Sequence, residues 1–167
     1  FEVVSAGTID SVNISGGAAW MDYDGDGDLD LFTAAHGMGP EGPFEDTPKL
    51  SKADQNQLYE NDNNQFLSKT SKLSYGGKEP YTYNGIWLPL DDKEGWDLFL
   101  VNDFGEFLIP HIGLSNRGEF TPIRGKGLDI ASYGTGGAVS DWNQDGAPDI
   151  LLTGIGDPSL LMSGKSK

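Results

Sequence analysis

The chain has 167 residues, with 26 acidic against 11 basic side chains and a formal net charge of −15. That imbalance excludes nucleic acid and anionic membrane surfaces as partners, because both would be repelled. Twenty-four glycines, nine prolines and no cysteine rule out a helical bundle, a disulfide scaffold and thiolate metal sites, and predict short strands joined by many turns.

In chain order, the first strand is expected at Phe1 to Val4, whose residues do not read as a signal peptide. Gly16-Gly17-Ala18 then leads through Trp20 into the acidic run Asp22 to Asp30, and Leu29 to Ala34 forms the strand that leaves it. Gly37 to Gln55, with four acids and three prolines, reads as an exposed insertion. Leu58-Tyr59 makes a further strand, the turn formers Asn61 to Gln65 follow, and Phe66 opens a second module. Tyr75, Tyr81 and Tyr83 sit in a Gly- and Pro-flanked stretch, a candidate exposed binding surface. Gly85-Ile86-Trp87 precedes a weaker copy of the acidic run, and Leu98 to Asn102 leaves it. After Ile112, Phe120 opens a third module, and Gly134-Thr135-Gly136-Gly137 reads as a strand-entry turn. Asp141 to Asp149 repeats the acidic run, followed by strands at Ile150 to Gly154 and Leu160-Leu161.

The runs Trp20 to Phe32 and Val139 to Leu151 superpose without a gap at an offset of 119 residues, each preceded by Gly-Gly-Ala. The middle copy lies 67 residues after the first, with Trp87 over Trp20 and Asp97-Leu98-Phe99 over Asp30-Leu31-Phe32. Cutting at the phenylalanines divides one repeat region into modules 1–65, 66–119 and 120–167. No stretch keeps a helical apolar stripe, so each module is expected to hold about four short antiparallel strands. Such repeats predict an all-β fold of β-propeller blades. Three blades do not close a ring, so the expectation is an incomplete propeller or part of a larger one. Its last blade would lack a final strand that Phe1 to Val4 or a neighbouring chain would supply.

The first and third acidic runs place oxygen side chains at positions 1, 3, 5 and 9 of a nine-residue loop. These are Asp22, Asp24, Asp26 and Asp30 in one, and Asp141, Asn143, Asp145 and Asp149 in the other. Position 6 is Gly27 or Gly146, and position 7, Asp28 or Ala147, can lend its backbone carbonyl. A flexible loop of hard oxygen donors suits Ca²⁺, which takes six to eight such ligands. Five carboxylates within nine residues repel one another in a bare turn. The loop is not an EF-hand, because position 12 is Thr33 or Leu152 where that motif requires a bidentate glutamate. The middle copy has Pro89 at position 1 and Lys93 at position 5, so no calcium is expected there. Lys93 is instead a candidate ion-pair partner of Asp91 or Asp97. Two calcium sites are thus predicted.

No nucleophile elbow, phosphate loop, zinc-protease motif or dinucleotide fingerprint occurs, and no catalytic residue is assigned. His36 and His111 read as ordinary surface histidines, and Trp20 and Trp87 as packing between blades. Asp91-Asp92 and Glu41 with Glu45 and Asp46 are acid pairs of the kind a glycosidase uses, without a separation that sequence can supply.

Gly17-Ala18-Ala19-Trp20-Met21-Asp22-Tyr23-Asp24-Gly25-Asp26-Gly27-Asp28-Leu29-Asp30-Leu31-Phe32, with Asn56-Gln57-Leu58-Tyr59-Glu60-Asn61 and Phe66, resembles the VCBS/FG-GAP repeat family. These calcium-loop propeller modules also build integrin α-subunit heads and cartilage acidic protein/ASPIC-UnbV-type proteins. The resemblance covers the chain as three repeats, the first strong and the second much weakened. It implies calcium ligation by the eight residues at positions 1, 3, 5 and 9 and specifies no activity. The function expected is a non-enzymatic calcium-binding segment for binding, adhesion or assembly, in an extracellular, periplasmic or other non-cytosolic compartment. A protein or glycan partner, further blades or other subunits would complete it. The alternatives are a structural subunit of a larger complex and part of a propeller-type polysaccharide-active enzyme.

Overall fold

The computed structural model describes residues 16–35, 55–76, 81–90, 94–103, 112–116, 118–123, 133–155 and 159–164, with Ile9, Gly127 and Leu128. Their architecture is all-β. Strands β1 (Ala18–Met21), β2 (Asp30–Thr33), β3 (Gln57–Asp62) and β4 (Gln65–Ser68) form one antiparallel meander. A second meander comprises β5 (Thr82–Leu88), β6 (Asp97–Asn102), β7 (Ile112–Asn116) and β8 (Phe120–Pro122), and a third β9 (Gly134–Ser140), β10 (Asp149–Gly154) and β11 (Leu160–Met162). One 3-10 turn, Thr70–Lys72, follows the first sheet. The three sheets form no closed ring among the described residues. Phe1 to Val4, His36, His111, the insertion to Asp54, Lys93 and the acid pairs at 41–46 and 91–92 lie outside the described residues.

The sequence period and the sheets are out of phase. Phe66 lies in β4 and pairs with Asn61 of β3, and Phe120 lies in β8 and pairs with Asn116 of β7. The strand that opens a module in sequence is therefore the last strand of the preceding sheet. The Gly-rich run at 134–137 is not an entry turn but the first half of β9. The reason is steric: a Cβ on Gly137 would stand 2.7 Å from Ile86 of the neighbouring sheet.

The sheets stack face to face, and the period of two along β5 and β6 explains how. Trp87, Leu98 and Leu100 point to one side and join Tyr23, Phe32, Ala34 and Leu58 of the first sheet, with Phe120 of β8. Ile86, Leu88, Phe99 and Val101 point to the other and join Ile150 and Leu152 of the third. Because both its faces are covered, β6 is buried at every position, which is why Leu98 to Val101 reads as a continuous apolar run. Close approach needs small residues on the first strands. A Cβ on Gly85 would lie 2.5 Å from the Phe32 ring, and Gly137 occupies the equivalent position opposite Ile86 and Val101. Trp87 fulfils the expected packing role, but its counterpart Trp20 is 53% exposed, since no described sheet covers that face of β1. Tyr75 packs against the first core rather than forming a binding surface, and Tyr81 and Tyr83 are half-buried.

A buried polar chain joins the first two sheets at the end away from the acidic loops. The Asn56 side-chain oxygen accepts the Ala35 N–H at 2.8 Å, and its amide donates to Thr82 Oγ1 at 2.9 Å. Thr82 in turn donates to Asn102 Oδ1 at 2.9 Å. All three side chains are fully buried, so each lost partner leaves an unmet polar group.

Two substitutions test this packing. Gly85→Ala should destabilise the fold by about 1–3 kcal/mol through the Phe32 contact, and Asn56→Ala by about 1–3 kcal/mol through stranded polar groups. Urea unfolding checks both; an unchanged midpoint for Gly85→Ala would show that the sheets are not held at this separation.

Candidate metal centre in the aspartate loops

Each acidic loop is the connection between the first and second strands of its sheet, and the same buried carboxylate closes all three. Asp30, Asp97 and Asp149, at position 9, are buried at the start of β2, β6 and β10. Asp30 Oδ2 accepts the N–H of Tyr23 at 3.1 Å, Asp97 Oδ2 that of Leu90 at 2.7 Å, and Asp149 Oδ2 that of Trp142 at 3.1 Å. The donor is in every case position 2, seven residues back. Because the middle loop keeps this bond with Pro89 at position 1 and Lys93 at position 5, the ninth aspartate has a structural role independent of any cation.

The first and third loops share more than this bond. Position 1 accepts the N–H of position 6: Gly27 to Asp22 Oδ2 at 3.1 Å, and Gly146 to Asp141 Oδ2 at 2.9 Å. Position 3 accepts from position 5: Asp26 to Asp24 Oδ1 at 3.3 Å, and Asp145 to Asn143 Oδ1 at 3.0 Å. Position 5 accepts from position 7, both at 2.9 Å: Asp28 to Asp26 Oδ1, and Ala147 to Asp145 Oδ1. Position 7 thus makes the same backbone contact whether it is Asp or Ala. The turn requires positive φ at position 6, 99° at Gly27 and 87° at Gly146, where a side chain is strained.

In the first and third sheets, the third strand or the residues just after it donate an N–H to the other oxygen of the ninth aspartate. Asp30 Oδ1 accepts the Asn61 N–H at 2.9 Å, and Asp149 Oδ1 the Gly164 N–H at 3.0 Å. In strand register Asn61 and Gly164 are equivalent. One position earlier stand Glu60 and Ser163, neighbours of the loops that the sequence reading did not single out. The clue lay in the turn formers after β3, which also bring the Asn63 N–H to Asp28 Oδ2 at 3.1 Å.

The loops differ in electrostatics. Asp22, Asp24 and Asp30 bring carboxylate oxygens within 4.8 Å of one another, the one such acidic group among the described residues. Burial pushes Asp24 and Asp30 above the ordinary carboxylate range, and neighbouring carboxylates push them further. In the third loop position 3 is Asn143, whose amide donates to Asp145 Oδ2 at 3.1 Å and Ser163 Oγ at 3.2 Å. A hydrogen bond from Ser163 holds Asp149 below its ordinary value. Both loops present hard oxygen donors, and a carboxylate oxygen that accepts one N–H retains a lone pair for a cation. The three clustered carboxylates of the first loop could hold an oxygen-ligated divalent ion.

Beside the first loop, Glu60 accepts from Lys69 at 2.9 Å and Lys72 at 3.3 Å. The Tyr23 hydroxyl donates to Glu60 Oε2 at 3.2 Å, and the Lys72 ammonium lies 5.2 Å from the Tyr23 ring centre. Burial, then the charges of Glu60 and Asp30, push the Tyr23 phenol far above its ordinary value, so it stays a donor. Hydrogen bonds from Lys69 and Lys72 hold Glu60 below its ordinary 4.5.

No helix among the described residues is long and apolar enough to cross a membrane. A scan against protein-family models and a search of curated proteins give no match.

Asp97→Ala should cost about 1–3 kcal/mol by stranding the Leu90 N–H, equally with calcium and with a chelator, as read by thermal melting. The Glu60 cluster predicts a pH dependence. Because its folded value is depressed, its stabilisation is present above 4.5 and lost as pH falls through the lower folded value. Glu60→Gln should remove about 0.5–1 kcal/mol at neutral pH and flatten the acid limb of stability against pH; parallel limbs for the two proteins would contradict the assignment.

Proposed function

We propose that this chain is a calcium-stabilised segment of β-propeller type, of the VCBS/FG-GAP kind, that serves as a binding or assembly module outside the cytosol. Its partner is a protein or a glycan, and no step of chemistry is assigned to it. The observation that carries this reading is the recurrence, 119 residues apart, of the same four loop hydrogen bonds around oxygen side chains at positions 1, 3, 5 and 9. In the first loop a second argument joins it: Asp22, Asp24 and Asp30 bring carboxylate oxygens within 4.8 Å of one another, and a divalent cation relieves their repulsion. The ligands are Asp22, Asp24, Asp26 and Asp30 in one site and Asp141, Asn143, Asp145 and Asp149 in the other, with the carbonyls of Asp28 and Ala147. Three meanders stacked in sequence order, with β5 between β1 and β9, support the propeller reading. The non-cytosolic placement belongs to the same reading: calcium sites of the extracellular class, with Kd of about 10⁻⁴ to 10⁻³ M, fill at the calcium level outside cells.

Calorimetric titration of chelator-stripped protein should find two calcium sites, with Asp22→Asn removing one and Asp141→Asn the other. At ~1 mM calcium and a Kd of ~10⁻⁴ M each site adds about 1.4 kcal/mol, so the melting temperature should rise by several degrees. A melt identical in calcium and chelator, with no heat of binding, would refute the proposal.

A further inference from the structure

In each acidic loop the residue at position 2 lies between the residues at positions 1 and 3, and in two of the three it is held by the next sheet. Tyr23, between Asp22 and Asp24, is buried in the core shared by the first and second sheets. Leu90, its counterpart in the middle loop, packs against the core shared by the second and third. Trp142, the third counterpart, belongs to neither core and is 62% exposed. Of the two loops rich in oxygen donors, the first is therefore tied to a neighbouring sheet at this position.

The hold on Tyr23 is specific. Its ring stacks on Trp87 of β5 at 5.9 Å and 4° between planes, and meets Phe120 of β8 edge-on at 5.5 Å. Trp87 and Phe120 lie 5.7 Å apart at 64°, so the three rings form one mutually packed group. The connection between the sheets adds to it. Lys72, the last residue of the 3-10 turn, donates to the Tyr23 hydroxyl at 3.2 Å. The two residues after it run beside β8, where Leu73 bridges Phe120 and the Ser74 N–H donates to the Phe120 carbonyl at 2.9 Å. The backbone of the same tyrosine serves the loop, since its N–H is the donor to Asp30 Oδ2. A ring packed on the second sheet and an N–H bonded to a loop carboxylate thus belong to one residue, and displacing the ring moves the chain between Asp22 and Asp24.

We propose that Tyr23 is a positioning residue through which the second sheet sets the conformation of the first acidic loop. The third loop is set without it. The consequence for a cation rests on the calcium reading above: the affinity of the first site depends on the seam between the first two sheets, and by linkage an occupied first loop strengthens that seam. The third site is independent of it, because Trp87 points toward the first sheet and not the third.

The N–H groups of Tyr23 and Trp142 make the same bond to the ninth aspartate at the same 3.1 Å, so their hydrogen exchange compares the two loops directly. In chelator, Trp87→Leu, which removes the ring against Tyr23, should speed exchange at Tyr23 by at least about fivefold and leave Trp142 unchanged. Trp87→Phe, which keeps a ring there, should restore most of the protection. Asn56→Ala weakens the same seam at its other end and should not single out Tyr23, which separates positioning from loss of stability. If Trp87→Leu fails to fold, Phe120→Leu takes its place. In calcium titrations, Trp87→Leu should weaken the first site by at least about fivefold in an Asp141→Asn background, and leave the third unchanged in an Asp22→Asn background. Equal acceleration at Tyr23 and Trp142, none at Tyr23, no recovery with Trp87→Phe, the same selective acceleration with Asn56→Ala, or an unchanged first-site affinity would each overturn the proposal. The two readings fail differently. Absence of calcium uptake would refute the proposed function while the exchange comparison still decides the role of Tyr23; uptake with both N–H groups responding alike would refute this inference alone.

Discussion

The buried carboxylate at the start of the second strand is the constraint on which each sheet depends. A turn of eight residues between two short strands leaves several backbone N–H groups without a partner in the strand ladder, and each must be met. Asp30, Asp97 and Asp149 meet the one at position 2. In the first and third sheets the same side chain also ties the hairpin to the third strand. An aspartate here thus sets the register of the meander before any cation is considered. That accounts for its presence in the middle loop, where Pro89 and Lys93 have replaced other members of the set.

A cation site can be added to this frame with few further changes. Once the ninth aspartate and the position-6 glycine set the turn, acids at positions 1 and 3 bring their carboxylate oxygens within 4.8 Å of the ninth, as Asp22 and Asp24 do with Asp30. In the first loop burial, and after it the neighbouring carboxylates, raise Asp24 and Asp30 above their ordinary value. The third loop moderates it with Asn143 and Ser163, which supply donors where the first loop has charge. The two loops therefore share a backbone arrangement and differ in how strongly they favour the bare state.

Stacking follows a different logic, in which the alternation of side chains decides which sheets have two covered faces. The central sheet is apolar on both sides along β5 and β6, and glycines at 85 and 137 let the neighbouring sheets close on it. Much of this was legible in the sequence: the repeat offsets and the strands around each loop, Leu98 to Asn102 among them. The phase of the sheets was not. A phenylalanine after a turn marks the period equally well whether its strand joins the preceding or the following sheet, and only hydrogen-bond partners decide. The fate of Trp20 and Trp87 was hidden for a related reason, since identical repeat positions differ in burial according to whether a sheet lies against them. Glu60 and Ser163 escaped notice because they reach the loops across strands, at separations that local spacing does not reveal.

The central claim, that the first and third loops are calcium sites and the middle one is not, is tested most directly by crystals grown with calcium and measured for its anomalous signal. The account predicts two peaks, each about 2.3–2.6 Å from the oxygens at positions 1, 3, 5 and 9, and none in the loop between β5 and β6. Density absent from both acidic loops, or an ion held in the middle loop instead, would contradict it.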